Sequence, residues 1–426
     1  MKTYKTWLGA VAVGLLLASG TAGAQDKPKE EAPKKEEAPK PAGVKVTAGS
    51  EGFALTSESG DFKVQIRGLV QFDGRFYASD DVKLAIDTFL LRRARPIVTG
   101  SVGKYFEFNL TPDFGGGQAV IQDAYADIKF NPAARVRAGK FKPPIGIEHL
   151  QSDPILPFIE RGFPSSLVPN RDEGLQLSGD LAGGVLNYAV GVFNGTTDGA
   201  SIDTDLNDGK DVVGRLLLTP FKKSKSPISG LSVGLAGSAG KQLGLSSTYR
   251  TGGQLPFFSY ITGVVADGDR SRIAPEISFF SGPVSVLGEY VSTKTGLKKV
   301  ATADRNTIQA EAWQGLVGVF LTGDSVTFGG VKVKKPLDPS KGQWGGIQLV
   351  ARVNALDVDQ DAFTLGLADI TKSARKAKAW GVGVNWYLNN NLKQALTFER
   401  TTFTGGAATG DRPNENALFI RTQLSF

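Results

Sequence analysis

Residues 416–426 read NALFIRTQLSF, and this short run decides the fold. Leu418, Ile420, Thr422, Leu424 and Phe426 share one face of an extended chain. A period of two marks a strand with one apolar side. An amphipathic final strand ending on an aromatic residue is the form that outer-membrane assembly machinery reads. The sheet it belongs to is expected to face lipid rather than a protein core.

The same period extends outward from that strand. In residues 61–77, Phe62, Val64, Ile66, Gly68, Val70 and Phe72 fall on one face. Lys63, Gln65, Arg67, Gln71, Asp73 and Arg75 fall on the other. The pattern recurs at 184–194, 230–240, 284–294, 308–322 and 343–357, and in residues 379–388 it gathers Trp380, Val382, Val384, Trp386 and Leu388. Clusters of Gly, Asn, Asp, Ser and Pro separate these runs. Open sheet edges in hydrocarbon would leave backbone groups unpaired, so the sheet must close and its first strand must meet the Phe426 strand. Some 380 residues over about sixteen strands leave roughly 24 for each strand and connection, which suits a porin-sized barrel. Residues 281–283 and 389–391 read as tight turns, and 195–210, 241–272 and 359–376 as long polar loops. That alternation predicts short periplasmic turns and long external loops. The expected fold is all-β, a transmembrane antiparallel β-barrel of about sixteen strands over residues 44–426, with an inward-folded constriction loop.

The N-terminal region sets the compartment. Lys2 and Lys5 precede an apolar run from Leu8 to Ala18, and Ala22-Gly23-Ala24 supplies a small-residue cleavage pattern. Residues 1–24 therefore read as a secretory signal peptide, too short in its apolar part to span a bilayer. Residues 25–43 (QDKPKEEAPKKEEAPKPAG) balance five Lys against four Glu and one Asp, and read as a disordered periplasmic tail. The protein is expected in the outer membrane of a Gram-negative cell, in contact with outer-membrane lipid.

Composition narrows the chemistry. The formal charge is +7, or +5 without Lys2 and Lys5, which favours anionic solutes over nucleic acid in an exported chain. With no Cys and one His, cysteine-rich metal chemistry is excluded, and a Ser-His-Asp triad would have to use His149. The one G-x-S-x-G match, Gly230–Gly234, opens an alternating run rather than a strand-to-helix elbow, so the chain is not expected to be an enzyme and needs no cofactor.

Residues 142–173 (KPPIGIEHLQSDPILPFIERGFPSSLVPNRDE) break the alternation. The segment is rich in proline and too long for a hairpin, so it reads as a functional loop. Ile155, Leu156, Phe158, Ile159 and Phe163 demand burial, which the inside of a barrel provides.

The segments KVQIRGLVQFDGRFY, FLLRRARP, FEFNLTPDF, DAYADIKFNPAARVRAGKFKPPIGIE, this loop, WGVGVNWYLNNNLKQALTFERTTF and ALFIRTQLSF resemble, in order and spacing, the phosphate-selective porin O and P family. The resemblance implies a sixteen-stranded, usually trimeric barrel whose third external loop narrows the pore, and basic side chains forming an anion site. It places Arg67, the pair Arg92 and Arg93, and loop residues Ser152 and Arg161 at the pore. His149 stands where well-studied members carry a lysine. The family's lumenal carboxylate falls at Gln122 or Asp123. Arg250, Arg270 and Arg272 are the nearest match to its external arginine ladder.

Guanidinium groups stay charged and offer a planar fork of donors suited to oxyanions. Each of these arginines could instead pair with a carboxylate across the lumen. Ideal pleating sends Arg92 and Arg93 to opposite faces, so both reach the lumen only with a bulge or a rim position. Arg135 and Arg137 share a face and are further pore-lining candidates. His149, if it gains charge between neutral pH and about pH 5.5, would make anion conductance rise in acid. The expected function is passive diffusion of small inorganic anions such as phosphate. A general porin of little selectivity, or a structural outer-membrane protein tethered by its tail, are the alternatives.

Overall fold

The computed structural model describes residues 43–78, 85–201, 203, 205 and 207–426. The signal peptide expected at 1–24 lies outside the described residues, as does the tail expected at 25–43 apart from Gly43.

A nineteen-stranded antiparallel sheet dominates the chain. Three of its strands are accessory: the hairpin Val44–Gly49 and Gly52–Ser57, and the two-residue strand Gly410–Asp411. The other sixteen close into a barrel. Closure joins the first barrel strand, Phe62–Ala78, to the last, Glu415–Ser425, from Leu69↔Ser425 to Ala78↔Asn416. The alternation read from the sequence points the apolar face outward. Phe72 and Ile420 are 48% and 43% exposed, whereas Asp73 and Arg421, facing the lumen, are 0% and 2% exposed. A soluble core would show the reverse.

The seam ends on the terminal aromatic. The Gly68 amide donates to the Phe426 carbonyl (2.8 Å), and the Phe426 amide donates back (3.0 Å). A Cβ at Gly68 would sit 2.6 Å from Phe426 Cζ, so the ring requires a glycine beneath it. Below this point the first strand pairs with the accessory hairpin, from Phe53↔Ile66 to Thr56↔Lys63. The barrel wall thus begins at Phe62, and Val44–Ser57 extend it at one edge.

Connections alternate as expected, with exceptions at residues 219–230 and 321–345. Residues 103–105, 132–133 and 282–283 are tight turns at the end that carries the chain termini, the periplasmic end of such barrels. Residues 321–345 lie at that same end, yet they form a long segment with its own small hairpin, Ser325–Thr327 and Gly330–Lys332. The expectation of uniformly short periplasmic turns is corrected here. Val326 and Val333 bury themselves against Phe320 and Tyr387, which gives the segment a core of its own.

At the external end, residues 142–171 leave the fifth strand, Ala134–Phe141, and fold inside the barrel. Ile145, Ile147, Leu156, Phe158, Ile159 and Phe163 are all but fully buried. Wall side chains on the far side satisfy the loop backbone. Lys393 Nζ donates to the Pro154 and Leu156 carbonyls (both 3.1 Å), Arg421 to Ile159 (2.7 Å) and Asn385 to Pro157 (2.8 Å). Glu289 accepts from the Ile147 amide (2.9 Å). The loop between the ninth strand, Leu231–Leu245, and the tenth, Val264–Ser281, also turns inward, seating Phe257 against Phe163 at 5.6 Å.

Candidate functional site

The folded loop divides the lumen. An inner cavity of about 920 Å³ lies toward the termini, and an outer one of about 830 Å³ lies toward the external loops. Arg95, Asp153 and Arg171 line both, and so mark the level where the lumen narrows.

Three loop carboxylates hold the loop to arginines of the wall. Glu148 meets Arg352 at 3.4 Å, and Arg352 also bonds Glu399 at 2.7 Å. Glu160 gathers Arg92 at 2.7 Å, Arg75 at 2.9 Å and Arg421 at 3.7 Å. Asp153 sits among Arg95, Arg161 at 2.6 Å and Arg93 at 3.4 Å. Burial alone would push the Asp153 carboxyl up, but Arg93, Arg161 and Arg95 hold it well below the ordinary carboxylate range. Glu160 is likewise lowered against its burial, chiefly by Arg92.

Two bulges create this crowding. On the second strand, Thr88–Val102, register passes from Gln71↔Arg93 to Phe72↔Leu91, leaving Arg92 as the extra residue. Both Arg92 and Arg93 therefore reach the outer cavity, as the sequence required of a bulge. Gly115 makes room for it: a Cβ there would lie 2.5 Å from the Arg92 carbonyl oxygen. On the fourth strand, Val120–Asn131, Gln122 is skipped between Thr111↔Asp123 and Pro112↔Ile121. Gln122 then faces the outer cavity and Asp123 the inner one, where Asp123 meets Arg171 at 3.4 Å.

All eight residues singled out from the sequence line the lumen. Arg67, Ser152, Arg135 and Arg137 border the inner cavity, and Arg92, Arg93, His149 and Arg161 the outer one. Their partners differ. Arg137 forms a bidentate pair with Asp127 (2.7 and 2.9 Å) and stacks on Tyr125, while Arg135 lies 3.7 Å from Asp127. Arg161 spends its remaining donors on the Glu148 and Gln151 carbonyls of its own loop. Among the described residues, Arg67 has no carboxylate within ion-pairing distance, and its Nε is shielded and unpaired.

His149 does not behave as an acid-responsive lysine substitute. It is 3% exposed and its Nε2–H donates to the Asn170 carbonyl (2.9 Å). Burial, then Lys142, Arg161 and Arg171, push its pKa well below the ordinary imidazole value, so it resists gaining charge as the pH falls. Arg270 and Arg272 form no open ladder either. They are buried in a closed cluster with Asp198 and Asp211, with Arg270 at 2.7 Å from Asp211. Arg250 is exposed and donates to the Gln254 carbonyl (3.0 Å).

Sequence reasoning does not single out Arg95, Arg171 or Lys142. Arg95 was legible two positions beyond Arg93 on the same face. Arg171 and Lys142 flank an irregular loop, where no period points a side chain anywhere. Lys142 Nζ donates to the His149 and Gln151 carbonyls (2.6 and 2.8 Å).

A family model described as phosphate-selective porin O and P matches residues 62–426, the whole barrel from its first strand to the closing phenylalanine. The chain belongs to this family. Porin O of Pseudomonas aeruginosa is 24% identical to this porin over 410 residues, covering 84% of this chain and 89% of that protein. The outer membrane channel DcaP of Acinetobacter baumannii superposes with a TM-score of 0.56 at 10% identity, over 87% of this chain and 99% of that one. An anion-selective porin from Comamonas acidovorans gives 0.54 at 13% identity, over 86% and 100%. At such identities the two superpositions establish a shared barrel fold. The protein is an outer-membrane porin of the Gram-negative type.

Proposed function

We propose that this porin carries small anions, phosphate or related oxyanions among them, by passive diffusion past the ring at Asp153. One observation carries the reading: three arginines, Arg93, Arg95 and Arg161, converge on this carboxylate where the lumen narrows, and only Arg95 has a further carboxylate partner there, Asp113. Ion pairing therefore leaves a cationic surplus in a confined, partly dehydrated passage. A focused potential of several kT corresponds to roughly ten- to hundredfold enrichment of anions. Arg67, lacking a carboxylate partner among the described residues, is the first donor free to meet an oxyanion on the inner side. Conduction needs several weak sites rather than one tight one, and guanidinium groups spaced along the lumen suit that need. The description of the family as phosphate-selective, and of one structurally similar porin as anion-selective, supports the same reading.

The test is a reversal potential across a planar bilayer in a potassium chloride gradient, followed by added phosphate. The expected result is anion preference with phosphate block of the chloride current. No preference, or cation preference, would overturn the reading and favour a general diffusion porin. We also infer a homotrimer in outer-membrane lipid, supported by the structurally similar OmpT of Vibrio cholerae, which has been solved in a trimer form. Cross-linking of the folded protein that yields only monomers would sink that part. Removal of residues 1–24 on export is read by N-terminal sequencing of the mature chain. Deletion of 25–43 tests whether that segment tethers the envelope without touching conduction.

A further inference from the structure

The outer cavity differs from the inner one in the neutral groups on its wall. Seven serine and threonine residues line it, against three in the inner cavity, so hydrogen bonding to hydroxyls is concentrated on the external side. Four polar atoms of its lining residues are shielded and have no partner among the described residues, and two of them, Ser165 Oγ and Gln122 Oε1, belong to neutral groups. An unpaired polar atom away from water is costly, and a side-chain rotation turns either group into the cavity its residue already borders. Gln122 is present there only because of the bulge, and Ser165 belongs to the constriction loop.

Inorganic oxyanions present mostly acceptor oxygens, which suit Arg171 in the cavity lining, held only at 3.4 Å by Asp123, but leave the Gln122 carbonyl without a donor. A hydroxyl donates and accepts at once, and so can serve Gln122 and Ser165 together. The cavity, at about 830 Å³, also falls in the range of sites that hold whole organic molecules. We propose that the outer vestibule is a subsite for phosphate monoesters of polyols. The phosphate group lies toward Arg171, and the hydroxylated skeleton lies against Ser165 and Gln122, with Ser166 and Thr248 also lining the cavity. This rests on the anion-channel reading above and names the solute class it serves best.

Glucose 6-phosphate, inorganic phosphate and glucose are each added to both sides of a bilayer holding the full-length channel in potassium chloride. The ester is expected to block the chloride current at about one-tenth the concentration that phosphate needs, as one or two added hydrogen bonds would give. Glucose alone is expected to leave the current unchanged. In the double variant S165A/Q122L the advantage of the ester disappears while phosphate block persists. Equal block by ester and phosphate in the unaltered channel, which requires no variant to fold, overturns the subsite. So does a double variant that weakens both solutes alike. A channel without anion preference in the salt gradient fails at the earlier step, so the two readings fail separately.

Discussion

Above and below the ring of Arg95, Asp153 and Arg171, one barrel wall presents two different surfaces. Eight Arg and Lys side chains border the inner cavity against three carboxylates, while six arginines border the outer one against four. Some inner cations have partners set back in the wall, as Arg137 has Asp127 and Arg215 has Glu276. Those carboxylates temper the field without covering the guanidinium. On the outer side two of the four carboxylates, Asp153 and Glu160, belong to the loop and sit in the lumen itself, so Arg92 and Arg93 are committed to holding them in place. An arginine in a pore can therefore be a solute site or a structural clamp, and only its partner decides.

The largest break in this contrast is expected from Glu160→Gln. It leaves Arg75, Arg92 and Arg421 without the charge they share, and removing one member of a buried ion cluster costs on the order of 3–5 kcal/mol. The loop should loosen, giving a larger and noisier single-channel conductance with stronger anion preference. A trace indistinguishable from the parent would show that the outer arginines are not clamps.

Arg67→Ala comes next. Loss of a charge-assisted hydrogen bond should weaken phosphate block roughly tenfold, whereas Arg250→Ala in the outer cavity should change it less than about twofold. Equal effects would erase the distinction between the two surfaces. Gly68→Val lies at the seam, outside both cavities. Overpacking against the Phe426 ring should cost about 1–3 kcal/mol, lowering the temperature at which the folded barrel converts to its unfolded gel mobility, with selectivity retained.

The smallest effect concerns acidity. In mild acid the depressed carboxyls of Asp153 and Glu160 stay ionised and His149 resists gaining charge, so these three groups should leave the reversal potential where it is. Folded His149 binds fewer protons than its unfolded counterpart, so its contribution to stability declines as pH falls below about 6.5. The two carboxyls, lowered in the folded state, stabilise it above about pH 4 and lose that role only as pH falls through their folded values. Selectivity that rises in acid and is abolished by His149→Ala would contradict the buried, neutral imidazole.

Much of the barrel was legible because a strand's period is local. Phe62 to Phe72 and Leu418 to Phe426 declare their outward face without reference to any partner. The constriction loop was legible through its prolines and unplaced apolar residues, and the Arg92–Arg93 pair announced a bulge. What sequence could not show were contacts between residues far apart in the chain. Glu160 with Arg75 and Asp153 with Arg95 are pairs of this kind, and they determine which arginines remain available. His149 illustrates the same limit: its identity suggests a titrating group, but its burial is set by the loop around it. Residues 321–345 escape such a reading because a segment that folds on its own apolar residues has no period to follow.

The mutual hydrogen bonds between Gly68 and Phe426 also have a consequence in time. Every other seam in the wall can zip between neighbours in the chain, but this one joins residues as far apart as Asp73 and Arg421, 348 positions from each other. Until both strands have arrived, the sheet keeps two open edges for chaperones and proteases to find.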